Sequence, residues 1–384
     1  MNQSIIYTLL YIFNHEMALY AVRPYIALLV AETGGGSIAV GLIAAAYSLV
    51  QVILAIFAGR WIDKLGARRP AVYGATVFLL GAIGLTSIKN LFFIAVSSFL
   101  LGISHLLALL SAQYVVTGLY SNLRNKIMGV YVFVNSVGMF AGSYVGGYFQ
   151  DWLGTGKGFY GAVGIGIVCW ICSLFMPKDV QIKGCANKGA VIQLLGNDAV
   201  LRNLTVSSIV QFTSEMTVSY LPLYGRDLGL SNAAIGTIFG VNGFAIMLVR
   251  PLLNTIISFL NRERIMRICL LFGGLSLACY SLTGEYTLLI ILAGISGIAV
   301  GLMAPLTLMA VTDAAPKNRR SQVLALRLMG NYIAQTVSPM AFGLLASVMG
   351  ISPMFLFSGA CMSLSAALVN NKETVQSNYM SNRR

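Results

Sequence analysis

Apolar stretches recur along the chain from residue 5 to residue 370, separated by short polar breaks, and none alternates apolar with polar at a period of two. Each is about 20 residues long, enough for a helix rising 1.5 Å per residue to cross a hydrocarbon core of about 30 Å. Strands of a membrane barrel would read instead as alternations of about ten residues. Taken in order, the runs predict spanning helices at 5–30, 37–58, 70–88, 91–116, 127–149, 158–176, 199–222, 233–256, 268–283, 287–312, 322–346 and 351–370. The expected fold class is therefore an all-α membrane protein of twelve transmembrane helices. The first run contains Glu16 and Arg23, has no small-residue cleavage site after it, and follows an uncharged start, so it reads as span 1 and not as a secretory leader.

The sharpest break is at residues 59–69, where Arg60, Asp63, Lys64, Arg68 and Arg69 stand between two uncharged runs; it reads as a turn between two buried helices. Other basic residues fall on every second loop: Arg124 and Lys126; Lys178, Lys183, Lys188 and Arg202; Arg262, Arg264 and Arg267; Lys317, Arg319 and Arg320; and Lys372, Arg383 and Arg384. The intervening loops hold only Lys89, Lys157 and Arg226. By the positive-inside rule both termini are expected in the cytoplasm, and the short loops suit a bacterial inner membrane. Composition agrees: 57% of residues are hydrophobic and 10% charged, against about 25% charged in soluble domains. The net charge of +13 is then topogenic, so membrane lipid is an expected partner and nucleic acid is not.

Two halves of the chain are similar to each other. Glu16-Met17 in span 1 matches Glu215-Met216 in span 7, and Pro24 and Pro222 follow. A constant shift of 196 aligns Arg124 with Arg320, Asn135 with Asn331, Gly147 with Gly343 and Gly154 with Gly350. The equal spacing of 41–59 and 236–254 makes 254–264 a degraded copy of the charged turn, with Ser258 where Asp63 stands. Two pseudo-symmetric six-helix bundles follow: 1–177 and 199–371, joined by a cytoplasmic linker at 178–198 and followed by a cytoplasmic tail at 372–384.

These residues carry a family resemblance. Gly59-x-x-x-Asp63-Lys64-x-Gly66-x-Arg68-Arg69 resembles the signature loop of the major facilitator superfamily, with Ala67 where the family usually has another basic residue. The resemblance implies the major facilitator fold, with Asp63 set against the start of span 11 and Gly59, Gly66, Arg68 and Arg69 completing a conformational latch held by the N-terminal half. Span 5 carries Gly129, Gly138, Gly142, Gly146 and Gly147, similar to the glycine motif of the drug:proton antiporter branch, whose usual proline is replaced by Ser143. Glycines at this spacing let a second helix pack closely whatever the function.

Ionisable residues at membrane depth are costly and face a cavity or a partner. Glu16, Arg23, His105, Glu215 and Arg327 lie well inside spans. Glu16 and Arg23 are two helical turns apart with Tyr20 between them, hence on one face, and the repeat places Glu215 on the opposite wall of a central cavity. A carboxyl group taken out of water holds its proton, and a nearby cation drives it off, which is the requirement of proton-coupled exchange. Two readings stand: Glu16 and Glu215 carry protons, or Glu16 and Arg23 form a static pair. His105, with Gln113 two turns on, is a proton relay or a packing histidine. Arg327 holds an anionic group of a substrate or pairs with a carboxylate such as Asp313. Arg250-Pro251 reads as structural. The candidate substrate wall is Tyr20, Arg23, Gln113, Asn135, Asn331 and Arg327.

Enzyme signatures are absent: there is no Walker loop, and His15 and His105 supply no metal-binding motif. Cys169 and Cys172 form a CxxC inside an apolar run, read as buried small hydrophobes before a metal or redox pair. No cofactor, metal or enzymatic activity is expected. The expected function is a proton-coupled efflux antiporter for small organic molecules, working by alternating access as a monomer. The alternatives are an uptake symporter for a sugar, amino acid or organic ion, and a non-transporting membrane sensor.

Overall fold

The computed structural model describes residues 3–87, 90–118, 124–177, 196–315 and 319–369. The expected linker, apart from 196–198, and the tail lie outside them. So do the side chains of Lys89, Arg124, Lys126, Lys317 and Arg320, on which part of the topology argument rested.

Among the described residues there are fourteen α-helices and no strand. They are α1 Gln3–Val22, α2 Ile26–Glu32, α3 Ser37–Leu65, α4 Arg68–Ser87, α5 Leu91–Gly118, α6 Arg124–Leu153, α7 Phe159–Leu174, α8 Asp198–Asp227, α9 Asn232–Val249, α10 Leu253–Phe259, α11 Arg262–Tyr280, α12 Tyr286–Ala314, α13 Arg320–Met349 and α14 Ser352–Leu364. Fourteen helices make twelve spans because two spans are broken. Pro24, which has no N–H to give the helical ladder, sits in the 3-10 turn Arg23–Tyr25 that separates α1 from α2, and Pro251 lies in the break between α9 and α10.

The charged stretch at 59–69 is not an eleven-residue turn. Helix α3 continues through Arg60 and Asp63 to Leu65, and α4 starts at Arg68. Only Gly66 and Ala67 lie between them, with Gly66 at φ +72°, the left-handed conformation that ends a helix cheaply only at glycine. Hydropathy marks where a helix leaves the lipid, whereas Asp63 and Lys64 are compatible with continued helix in water. The copy at 254–264 is likewise mostly helical, divided between α10 and α11.

Among the described residues eight helical segments are long and apolar enough to cross a membrane by length and composition alone, with α1 and α2 taken as one span, and α7 and α14 are shorter apolar helices. The other two, α8 and α11, are interrupted by charge: Glu215 in the middle of α8, and Arg262, Glu263, Arg264 and Arg267 at the start of α11. Large apolar side chains such as Phe57, Leu80, Phe272, Leu344 and Leu364 are exposed on the flanks, the surface that lipid covers.

Successive spans run in opposite directions, so one end of the bundle carries Lys64, Arg68, Arg262 and Arg264, and the other carries Thr33, Gly154 and Gly229. These are called the basic end and the opposite end. The halves meet mainly through α3 against α13 and α6 against α9. A single apolar core joins both halves and includes Leu19, Val22, Tyr25, Tyr47, Met216, Tyr220, Phe239 and Phe342. Other clusters stay within one half: Val206, Leu270, Met303 and Met362 in the C-terminal half, and Tyr11, Ala71, Ala108 and Val115 in the N-terminal half.

Candidate functional site

At the opposite end the two halves are in backbone contact. A Cβ on Gly41 of α3 would stand 2.3 Å from the Pro339 carbonyl oxygen of α13, and one on Gly147 of α6 would stand 2.4 Å from that of Asn232 in α9. Such approaches are open only to glycine. The Tyr220 hydroxyl is shared between the carbonyls of Pro339 (2.7 Å) and Ser37 (3.2 Å), which ties α8 and α13 to the start of α3. At the basic end, among the described residues, no atom stands within 4 Å of a Cβ position on Gly59. Asp63 is exposed there and makes no hydrogen bond or ion pair among the described residues.

Between the ends lies a cavity of about 320 Å³, walled by both halves, with Glu16, Tyr20, Arg23 and Tyr47 facing Glu215, Asn242, Arg250 and Gln335. Glu16 and Glu215 are almost fully buried, at 1% and 2% exposure. Arg23 Nη2 donates to Glu215 Oε1, an ion pair between the halves. The static Glu16–Arg23 pair weighed from the sequence is therefore not the one formed: Pro24 converts the backbone at Arg23 to a 3-10 turn, and the guanidinium reaches across to α8. It lies 4.1 Å from the centroid of the Tyr47 ring, a cation–π contact.

Tyr47 also meets His105. Its hydroxyl is 2.5 Å from His105 Nδ1, and Gln51 Nε2 is 3.2 Å from the same nitrogen. The Gln51 amide N–H can donate to Nδ1 and the Tyr47 hydroxyl can either donate or accept there, so the roles follow the tautomer of the ring. Nε2 faces Glu16 Oε1 at 3.4 Å, close enough for an ion pair when the ring is protonated, but too poorly aligned to count as a hydrogen bond. His15 stacks on the other side of His105, ring centroids 5.9 Å apart, and its Nε2 meets Ser104 Oγ at 3.0 Å. A chain of contacts thus runs between the carboxylates: Glu16 faces His105, His105 is hydrogen-bonded to Tyr47, and the Tyr47 ring lies against Arg23, which pairs with Glu215.

The other expected residues are placed as follows. Tyr20 and Asn135 line the cavity; Gln113, Asn331 and Arg327 do not. Gln113 is eight residues beyond His105, which turns it about 80° off the face, and it is exposed. Asn331 accepts from Ser207 Oγ at 3.0 Å. Arg327 donates to the Ala304 carbonyl and to Thr307 Oγ1, both at 3.0 Å, while Asp313 is taken by Arg262 at 2.5 Å. Of the span 5 glycines, Gly138, Gly142 and Gly146 meet the α1 backbone around Phe13, Met17 and Ala21; Gly147 meets the other half; Gly129 meets nothing within 4 Å.

Among the cavity residues that escaped the sequence reading, two bear on the charge of the cavity. Tyr47 stands four residues before Gln51 on one helix face, a polar pair in an apolar span that could have marked it. Arg250 read as structural, yet it lines the cavity and donates to Ser136 Oγ of the other half. No group of three or more potential metal ligands occurs among the described residues.

Two helix bundles enclosing a charged cavity within the membrane define a multi-pass membrane transporter. The family model of the Major Facilitator Superfamily matches residues 8–284 and 204–374, and the chain belongs to that superfamily. It is 24% identical over 349 residues to an uncharacterised MFS-type transporter of Methanocaldococcus jannaschii, covering 88% of this chain and 89% of that one. It is 22% identical over 352 residues to multidrug resistance protein 2 of Bacillus subtilis, covering 85% and 84%. The solved structure of a point mutant of the nucleoside transporter NupG superposes with a TM-score of 0.84 at 11% identity, over 96% of this chain and 100% of that one, a likeness of fold.

Proposed function

We propose that this chain is a proton-coupled efflux antiporter for a small organic molecule, working by alternating access across a cell membrane with its basic end in the cytoplasm. The observation that carries the reading is the chain of contacts from Glu16 through His105, Tyr47 and Arg23 to Glu215 along the wall of a cavity closed at the opposite end. A proton arriving at Glu215 removes its charge and frees Arg23, and a proton on Glu16 removes the carboxylate that faces His105. Each event changes the charge offered to a substrate beside Tyr20 and Asn135. Breaking the Arg23–Glu215 pair without such compensation leaves buried charges, at a cost of about 3–5 kcal/mol. Separation of the halves at that level is thus tied to a proton or a charged ligand. Export, as opposed to uptake, rests on the likeness to multidrug resistance protein 2.

The test is a substrate screen in proteoliposomes with an imposed pH gradient. Antiport alkalinises an acidic lumen when substrate is added; symport accumulates substrate with inward proton flow and would replace the efflux reading. Glu16→Gln, Glu215→Gln and the double variant should lose gradient-driven flux. Wild-type flux in all three would remove the carboxylates from the mechanism.

A further inference from the structure

Residues 59–66 and 147–154 share one pattern. Gly59-x-x-x-Asp63-x-Leu65-Gly66 ends α3, and Gly147-x-x-x-Asp151-x-Leu153-Gly154 ends α6. In both, the helix runs through the aspartate and stops at a glycine with positive φ, +72° at Gly66 and +83° at Gly154. The two helices run in opposite directions. The same device therefore stands at both ends of the N-terminal half, as inverted three-helix repeats nested in that half would place it. Ser258 and Ser347 occupy the corresponding positions in the C-terminal half, so both carboxylates belong to one half.

Asp151 is engaged. Its Oδ1 accepts from the Asn232 N–H at 2.9 Å and its Oδ2 from the Ala233 N–H at 2.8 Å, while Ser231 Oγ takes the Ala234 N–H at 3.2 Å. These are N–H groups of the first turn of α9, which have no partner within their own helix and favour a negative charge. Helix α9 belongs to the other half, so this cap bridges the halves beside the Gly147 contact. Asp63, the matching carboxylate, makes no hydrogen bond or ion pair among the described residues.

We propose that Asp151 is a positioning residue for transport, holding the opposite end closed by capping α9, and that Asp63 and Asp151 are engaged in turn as the ends close in turn. The proposal rests on the alternating-access reading. It assigns to Asp151 the closing of the end away from the signature loop, and it makes the two gates copies of one motif.

Spin labels report both ends without a substrate. In a background with the native cysteines replaced by serine, one pair is placed at the exposed Lys157→Cys and Asp227→Cys, and another at the exposed Lys64→Cys and Arg264→Cys. Distances are then measured by double electron–electron resonance. Asp151→Asn should raise the ratio of long to short distances at the opposite end about fivefold, the effect of losing one interaction of ordinary strength, with short distances gaining at the basic end. Asn232→Pro is the second variant: proline is well accepted at the first helical position, Ser231 already has the extended backbone a following proline needs, and the N–H that Asp151 Oδ1 takes is lost together with the Asn232 carboxamide, while the Ala233 N–H to Oδ2 remains. It should shift the populations the same way by no more than Asp151→Asn does, and the double variant should add little to Asp151→Asn. Asp63→Asn should move the populations the other way. A wild-type distribution in both Asp151→Asn and Asn232→Pro, in a protein whose ends do exchange, overturns the latch alone. A single unchanging distance at both ends in every protein overturns alternating access and the latch with it.

Discussion

The two ends of the bundle are built from copies of the same elements, and in this arrangement they behave differently. At the opposite end α3 meets α13 and α6 meets α9 closely enough that a Cβ at Gly41 or Gly147 would collide with a backbone carbonyl. The groups that bridge the halves there are the Tyr220 hydroxyl on the Ser37 carbonyl and one helix cap. At the basic end Gly59 is open and Asp63 is exposed. The contacts at the closed end are of a kind that water can replace, because carbonyls and N–H groups that separate can be hydrated, and hydrogen bonds exchanged with water change the free energy little. The interaction that resists separation lies deeper. Among the described residues one ion pair crosses between the halves, Arg23 with Glu215, and it is buried. On the proposed function, the gates are weak and the coupling sits in the cavity.

The largest expected effect comes from making the ends unequal by bulk. Gly147→Val places side-chain atoms where Asn232 O, Tyr25 Oη and Ala233 Cα already stand, and overpacking of this sort costs about 1–3 kcal/mol. Closure of the opposite end should fail. A cysteine placed at Asn135 on the cavity wall should then react with a membrane-impermeant maleimide from that side at least about tenfold faster, the change that 1.4 kcal/mol makes. Gly59→Val should not speed that labelling, since among the described residues nothing stands within 4 Å of its Cβ position here, and should slow it only as far as labelling depends on closing the basic end. Equal labelling in Gly147→Val and wild type would show that the glycine contact is not what seals this end.

How much of this was legible in the sequence depends on the range of the interaction. Spans, repeat and signature loop were readable because each is local or periodic: about 20 apolar residues, a shift of 196, a fixed spacing of glycines and aspartate. Glu16, Arg23, His105 and Glu215 stood out because charge inside an apolar run needs a reason. Their pairing did not, because helical periodicity ranks partners on the same helix, while Arg23 is turned by Pro24 toward Glu215, 192 residues away. Tyr47 was passed over because a tyrosine in a span is usual at membrane interfaces, and only the fold puts it between His105 and Arg23. Arg327 and Asn331 were counted toward the cavity from depth alone, and depth does not fix the direction in which a side chain points.

A smaller effect on labelling, because hydration of the freed carboxylate relieves most of the cost of leaving it unpaired, separates gate from cavity. Arg23→Gln removes the cation from Glu215 and leaves a buried carboxylate without its partner, which at neutral pH favours whichever arrangement hydrates it. Cavity labelling from the opposite side should rise in Arg23→Gln and fall back when Glu215→Gln is added, because the pair of neutral amides has no charge to hydrate. If the double variant labels as fast as Arg23→Gln alone, the pair does not govern the opening.

The smallest effect is expected at Tyr220. Its hydroxyl bridges Ser37 and Pro339 at the closed end, and Tyr220→Phe keeps the ring that packs in the shared core while removing only that bridge. A hydrogen bond of this kind contributes about 1 kcal/mol, less than the overpacking at Gly147 or the unpaired charge at Glu215. Opposite-side labelling should therefore rise by a few-fold at most, and the thermal unfolding midpoint should change little. A rise as large as that of Arg23→Gln would mean that the closed end is held chiefly by its hydroxyl and carbonyl contacts. The division between a weak gate and a coupled cavity would then have to be reversed.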